Sequence, residues 1–170
     1  MLEHSRELYF ALDLVAFLAV IALHMVKTNR SLIRLYFVQS LVVTIFLAWL
    51  GFAESDRSLL FVALVTFLVK VIVAPRFFSR LIRRYSTRFT TNNYLSTPLT
   101  LVVLMLLVLF SYSNVFLPLG MLMPDAFGLL PLNLATILLS IFLLLNRRGA
   151  FSQMIGILSL ESSILLLASV

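Results

Sequence analysis

Two ionisable side chains inside long apolar segments are the first candidates for chemistry in this chain. Lys70 lies in the stretch from Ser58 to Arg84, and Glu161 lies in the last apolar stretch. If both stretches span a bilayer, both groups sit near its midplane, where a charge is costly and usually functional. A carboxyl there must be protonated, paired or hydrated. We predict that both belong to a proton (or Na+) pathway; the alternative is a static ion pair of Glu161 with Lys70 or with a partner's lysine.

Four further polar residues inside the apolar segments are predicted to belong to the same pathway: Asp13, His24, Gln39 and Thr66. Thr66 is one helical turn before Lys70 and extends its polar face, and Gln39 could bond to a neighbouring helix or line a wet cavity. Asp13 and His24 share one face of the first segment, roughly 16 Å apart along a helix. They could mark the two mouths of one path; the alternative is that each is an interfacial residue near a helix end.

A proline and a group of arginines follow Lys70. Pro75 has no N–H to donate to the carbonyl of Val71, which predicts a break in the helix and a free carbonyl beside the lysine. The arginines predict contact with anionic lipid or with the cytoplasm. They are Arg76, Arg80, Arg83 and Arg84, and the same contact is predicted for Arg147 and Arg148.

Composition places the chain among integral membrane proteins. Apolar residues make up 62% of 170 positions and the mean hydropathy is +1.10, against about 45–50% apolar in soluble domains. There is no cysteine and there are two histidines, so we expect no metal site, no cofactor and no enzymatic activity of the chain by itself. The net charge of +6 comes from residues that flank apolar segments, which favours anionic lipid over nucleic acid as the partner.

Hydropathy divides the chain into about six transmembrane helices in one membrane domain, residues 1–170. The predicted spans are 8–26, 32–53, 58–83, 98–115, 126–145 and 150–170. Basic residues are concentrated in every second connection, so the positive-inside rule puts both termini outside. The fourth span is wholly apolar inside and is predicted to face lipid or to act as a scaffold.

Small and hydroxyl-bearing residues recur at helical spacing on three spans, which predicts close packing and interhelical hydrogen bonds. The three sets are Ser40, Thr44, Ala48 and Gly51 on the second span, Asn133, Thr136 and Ser140 on the fifth, and Ser152, Gly156, Ser159 and Ser163 on the sixth. Glu161 points away from the last set.

Three pieces of the chain carry a resemblance to a known family: Ile33–Val43, Leu68–Arg84 and Asn146–Leu167. They resemble membrane component E of the hydrogenase-four type complexes, which are membrane-bound nickel–iron hydrogenases related to formate hydrogenlyase and respiratory complex I. The third piece, with Gly-Ile-Leu-Ser-Leu-Glu after a basic loop, is also similar to the small K component of complex I and to the C component of Mrp antiporters.

The resemblance implies transmembrane helices beside larger antiporter-like subunits in a redox-driven complex, with no cofactor in this subunit. It also implies a prokaryotic inner membrane, with both termini on the periplasmic side. By the motif, Glu161 takes the place of the glutamate in the K-type component, and Lys70 matches the family's intramembrane lysine. The chain departs from the family where Ser162 and Ser163 replace Asn-Gly after the glutamate. Members also continue into a further helix with a second acidic residue, whereas the given sequence ends at Val170, so the resemblance does not imply a complete carboxylate relay within this chain.

Two other functions are consistent with the sequence. In the first, the chain is a structural scaffold that packs antiporter-like and anchor subunits, and its buried charges are static. In the second, it is a small independent transporter. The absence of a visible inverted repeat argues against the transporter.

Overall fold

The computed structural model describes residues 2–85, 92–116, 118–119 and 128–169, and these are almost entirely helical. The helices are α1 (Leu2–Met25), α2 (Asn29–Ala53), α3 (Arg57–Thr66), α4 (Ala74–Tyr85), α5 (Thr97–Ser111), α6 (Leu130–Asn146) and α7 (Ala150–Ala168), with a π-helical segment (Phe67–Val73) joining α3 to α4. A 3-10 turn, Asn114–Phe116, follows α5. The prediction of an all-α fold is confirmed.

Four helical stretches are long and apolar enough to cross a membrane: Glu7–Met25, Asn29–Ala53, Arg57–Arg84 and Ala150–Ala168. The architecture is therefore that of a membrane protein. Helices α5 and α6 are apolar but shorter, with 15 and 17 residues, against about 20 residues for an untilted span.

Several helix ends differ from the predicted ones. Helices α1 and α2 begin at Leu2 and Asn29, because the helix continues through polar residues that hydropathy excludes. The predicted end at residue 115 is wrong, since α5 ends at Ser111. The predicted start at residue 126 and the predicted end at residue 170 lie outside the described residues. The described helices begin at Leu130 and end at Ala168 there.

Helix α2 lies at the centre of the bundle. It packs against α1, α3, the π segment, α4 and α7, while α6 packs against α1, α5 and α7. Val43, Phe46 and Leu47 of α2 are buried in a core that Ala16 of α1 and Leu166 of α7 complete. Helix α5 lies on the outside and leaves most of its apolar side chains exposed, as predicted for a helix that faces lipid.

The small-residue face of α7 permits a close approach to α6. Ser152, Ser159 and Ser163 are buried, and a Cβ atom placed on Gly156 would lie 3.0 Å from the Cα atom of Leu144. That atom belongs to the backbone and cannot rotate away. The packing role predicted for this face is confirmed.

We expect Gly156→Ala to destabilise the chain, because the added methyl group meets the α6 backbone. Overpacking of this kind costs about 1–3 kcal/mol of unfolding free energy. Equilibrium unfolding in mixed detergent micelles measures it. Gly128→Ala is the matched control, since a Cβ at Gly128 has nothing within 4 Å. Equal stability of the two variants would contradict the packing assignment.

Pro75 changes the helix register instead of breaking the helix, so the predicted break is wrong. The N–H of Ala74 donates to the carbonyl of Val69, five residues back. The next residue, Pro75, has no N–H, so this five-residue pattern cannot continue and α4 proceeds as an ordinary helix. The proline thus ends a π-helical segment that contains Lys70.

Arg147 holds the end of α1. Its Nη2 atom donates to the carbonyl oxygens of Val26, at 2.8 Å, and of Leu23. Its exposed fraction is 1%, and burial lowers the pKa of the guanidinium to about 10. The predicted contact of Arg147 with lipid or cytoplasm is therefore wrong. Carbonyls at a helix C-terminus need donors and favour a cation, and Arg147 meets both requirements.

The neighbouring Arg148 is exposed, and its guanidinium carbon lies 4.3 Å from the ring centroid of Tyr94. Two-residue strands β1 (Asn92–Asn93) and β2 (Arg147–Arg148) pair antiparallel. The N–H of Leu95 donates to the Oδ1 atom of Asn146, at 3.0 Å, and the Nδ2 atom of Asn146 donates to the hydroxyl of Thr100. The segment before α5 and the connection between α6 and α7 are thereby joined beside the end of α1.

Arg147→Gln is expected to lower the unfolding free energy by about 1.5–3 kcal/mol, the contribution of hydrogen bonds from a charged group. Arg148→Gln removes the same charge from an exposed position, and loss of its aromatic contact costs less than about 1 kcal/mol. Unfolding of both variants in the same micelles compares them. If Arg148→Gln proved the more damaging, the assignment of Arg147 to the end of α1 would be refuted.

Candidate functional site

Lys70 and Glu161 meet at the outer side of α7, with the lysine buried in the bundle and the glutamate exposed. The Nζ atom of Lys70 lies 3.3 Å from Oε1 of Glu161 and donates a hydrogen bond of 3.0 Å to Oγ of Ser162. Ser162 in turn donates to the carbonyl of Leu158. The two groups whose adjacency the sequence left open therefore form one ion pair, which we call the Lys70–Glu161 pair.

The π segment directs Lys70 inward. Lys70 and Val71 are buried, whereas Phe67, Leu68 and Val69 are exposed. The π segment and α7 both pack against α2, and the long lysine side chain reaches from one to the other. π-Helical turns recur at functional sites in other proteins. Here the turn puts a cation against an acid of α7.

Thr66 and Pro75 bracket the lysine in the chain. Thr66 is buried one turn before Lys70, so its placement on the lysine's face agrees with the prediction. Pro75 is half-buried on the other side of the π segment. Both residues contribute to the shape of the segment that presents Lys70.

The two members of the pair differ sharply in exposure. The side chain of Lys70 is 4% exposed, and that of Glu161 is 57% exposed. Around Glu161, the same face of α7 exposes Met154, Ile157 and Ile164. A carboxylate on an apolar face that meets hydrocarbon is only partly compensated by one lysine. Glu161 is thus an exposed carboxyl on an otherwise apolar face of α7, held by one buried lysine.

Gln39 belongs to a second, fully buried polar cluster. Its Nε2 atom donates to the carbonyl of Ser159 at 3.4 Å, and Ser159 Oγ donates to Oε1 of Gln39 at 2.9 Å. Ser140 is hydrogen-bonded to Ser159 and Ser163, at 3.2 and 2.9 Å. This cluster joins α2, α6 and α7. Of the two roles predicted for Gln39, the structure shows the bond to neighbouring helices.

Asp13 and His24 lie in separate buried sites on α1. Asn133 of α6 donates to Oδ2 of Asp13 at 3.1 Å, and Asp13 is 1% exposed. His24 has its Nδ1 atom 2.9 Å from the carbonyl of Val20, and its ring stacks on Phe142. Both are buried among helices, and the choice between the two roles predicted for them stays a prediction. In the part of the chain that the structure describes, no hydrogen bond links either to the Lys70–Glu161 pair.

Arg76, Arg80, Arg83 and Arg84 are exposed along α4, so they are free to contact lipid or cytoplasm. Arg76 also donates from Nη1 to the carbonyl of Ile72 at 3.4 Å. The role predicted for these four arginines stays a prediction. Within the described ranges, no three His, Asp or Glu side chains come together in a group that could hold a metal ion.

Sequence reasoning missed Ser162 as a partner of Lys70. Its only sequence signal was its place next to Glu161, one position round the helix from the small-residue face. That position turns its hydroxyl to the π segment while Glu161 points outward. The pairing of Asp13 with Asn133 was also missed, because residues 120 positions apart carry no local signal of contact.

Comparisons of the chain with protein-family models, with curated proteins and with solved structures find no match. Function is therefore inferred from the geometry of the Lys70–Glu161 pair and from the sequence pieces described above.

Proposed function

We propose that this chain is a non-catalytic membrane subunit of a redox-driven, proton-translocating complex of the hydrogenase-four type, and that the Lys70–Glu161 pair is one station of its proton pathway. The observation that carries the proposal is the asymmetry of the pair. A buried lysine holds a carboxylate that opens onto the outer surface of the bundle. A proton station shared between two subunits needs this arrangement.

The pair can pass charge between subunits in two steps. With Lys70 charged and Glu161 ionised, the pair is neutral. A proton arriving at Glu161 from a neighbouring subunit removes the ion pair, and Lys70 keeps its bond to Ser162. The proton leaves when the charge within that neighbour changes, because the protonation of coupled groups depends on each other's state. The partners are antiporter-like subunits that cover the exposed face of α7.

The proposed topology is six spans with both termini on the periplasmic side of a prokaryotic inner membrane. Its support is that the connection at Arg147–Arg148 lies beside the segment before α5 and the end of α1. This is the arrangement expected when these three segments share one side of the membrane. Helices α5 and α6 are then short transmembrane spans that bring the number of spans to six. This subunit binds no cofactor.

A structural scaffold is the second candidate function. The observation in its favour is the buried cluster of Gln39, Ser140, Ser159 and Ser163, which is hydrogen-bonded throughout and needs no proton movement to explain it. In this account the Lys70–Glu161 pair is fixed, and the exposed glutamate anchors a partner subunit. The two functions differ in what happens to assembly when Glu161 loses its charge.

Affinity purification of the tagged chain from its native membrane tests the proposal. We expect antiporter-like and hydrogenase subunits to copurify, and we expect the isolated chain in liposomes to move no protons under a pH gradient. A chain that purifies alone and transports protons by itself would establish an independent transporter and refute the subunit proposal.

A further inference from the structure

A groove runs along the outside of the bundle between α2 and the stretch formed by the π segment and α4; we call it the α2–α4 groove. Its volume is about 910 Å³. At one end it is lined by apolar residues, among them Phe37, Leu41, Phe67 and Val71, and at the other by Arg76, Arg80 and Arg83. The groove therefore has an apolar half and a cationic half.

A second depression of about 650 Å³ continues the cationic half. It shares Ser79 and Arg83 with the first and adds Arg30 and Arg34 of α2. Among the described side chains that line the two depressions, none is acidic. Five arginines thus line one end of the groove, and no carboxylate lines it with them. Their positive charge favours binding of an anion from outside the chain.

In the proposed topology, on which this step rests, the groove lies in the leaflet between Lys70 and the cytoplasmic side. Lys70 is then near the midplane, and Arg80 follows it by ten positions, or about 15 Å along a helix at about 1.5 Å per residue. Half of the hydrocarbon core of a bilayer is also about 15 Å. The apolar half of the groove is therefore at the depth of acyl chains, and the arginines are at the depth of headgroups.

We propose that the α2–α4 groove binds one anionic phospholipid, with an acyl chain against Phe37, Phe67 and Val71 and the phosphate between Arg80 and Arg83. The guanidinium groups suit phosphate because each can donate two parallel hydrogen bonds to it. Basic pockets between transmembrane helices bind such headgroups in other membrane proteins. The site lies on the outside of the bundle, and Lys70 and Glu161 do not line it.

Native mass spectrometry of the purified chain in detergent, supplied with phosphatidylglycerol and phosphatidylcholine, tests the site. We expect one phosphatidylglycerol to be retained in preference to phosphatidylcholine. Arg80→Gln with Arg83→Gln should weaken retention by about 30-fold, given the contribution of each basic residue near an anionic lipid. The matched control is Lys27→Gln with Arg57→Gln, two exposed basic residues outside the lining of both depressions, which should leave retention unchanged.

Two further arms separate the occupants. Ser79→Trp fills the junction of the two depressions and should displace the lipid even though every arginine remains. Glycerol 3-phosphate, a headgroup without acyl chains, should not compete at the lipid's concentration. Equal loss in the control double variant, or competition by glycerol 3-phosphate together with normal retention in Ser79→Trp, would overturn the lipid site. Glu161→Gln should retain the lipid, so this result is independent of the proton pathway.

Discussion

Glu161→Gln is expected to leave the complex assembled and to lower coupled proton translocation at least about tenfold, equivalent to about 1.4 kcal/mol in the barrier. Glutamine has nearly the same shape and still offers an oxygen to the Nζ atom of Lys70, 3.3 Å away in the wild-type pair. It cannot take up or release a proton. Packing is therefore kept while the proposed chemistry is removed.

The measurement is proton uptake by inverted membrane vesicles, with the amount of each subunit determined in the same preparation. Glu54→Gln is the matched control, because Glu54 is exposed at the end of α2, away from the pair. Loss of the complex in Glu161→Gln alone would favour the scaffold. Normal pumping with normal assembly would remove Glu161 from the pathway.

Lys70→Met should have the second largest effect, on both translocation and stability. Methionine fills much of the lysine's volume but leaves Glu161 without its cation and Ser162 Oγ without its donor. The unpaired carboxylate is expensive inside a membrane. We expect proton uptake to fall at least about tenfold, as for Glu161→Gln, and the assembled complex to become less stable.

Combining Lys70→Met with Glu161→Gln should restore part of the lost stability, because the double variant has no unpaired charge. The double-mutant cycle is expected to give a coupling of about 0.5–3 kcal/mol. Lys27→Met, at an exposed lysine between α1 and α2, is the control for loss of a cation. Additive effects of the two substitutions would show that the pair does not interact in the assembled protein.

Much of this arrangement was readable from local pattern. Apolar run lengths predicted the helical stretches, and the spacing of small residues predicted the face of α7 that packs against α6. The depths of Lys70 and Glu161 in a bilayer, counted along each stretch, stay a prediction. Each of these features depends on the residues of a single helix, so it can be predicted from the local sequence.

The features that escaped prediction depend on contacts between distant helices. The Lys70–Glu161 contact needs the π segment and α7 to lie against the same central helix, which no single stretch specifies. Arg147 was assigned to the membrane surface by its charge, but it is buried and donates to carbonyl oxygens at the end of α1. Pro75 predicted a break, whereas the helix continues past it: the π-helical segment ends at Val73 and α4 follows directly.

The central claim is that Glu161 changes protonation during turnover, and infrared difference spectroscopy of the assembled complex tests it most directly. Spectra recorded between the resting and the turning-over complex should contain a carboxylic acid carbonyl band that is absent in Glu161→Gln and retained in Glu54→Gln. An identical spectrum from the wild-type and Glu161→Gln complexes would show that this carboxyl keeps one protonation state, and would contradict the proposed pathway.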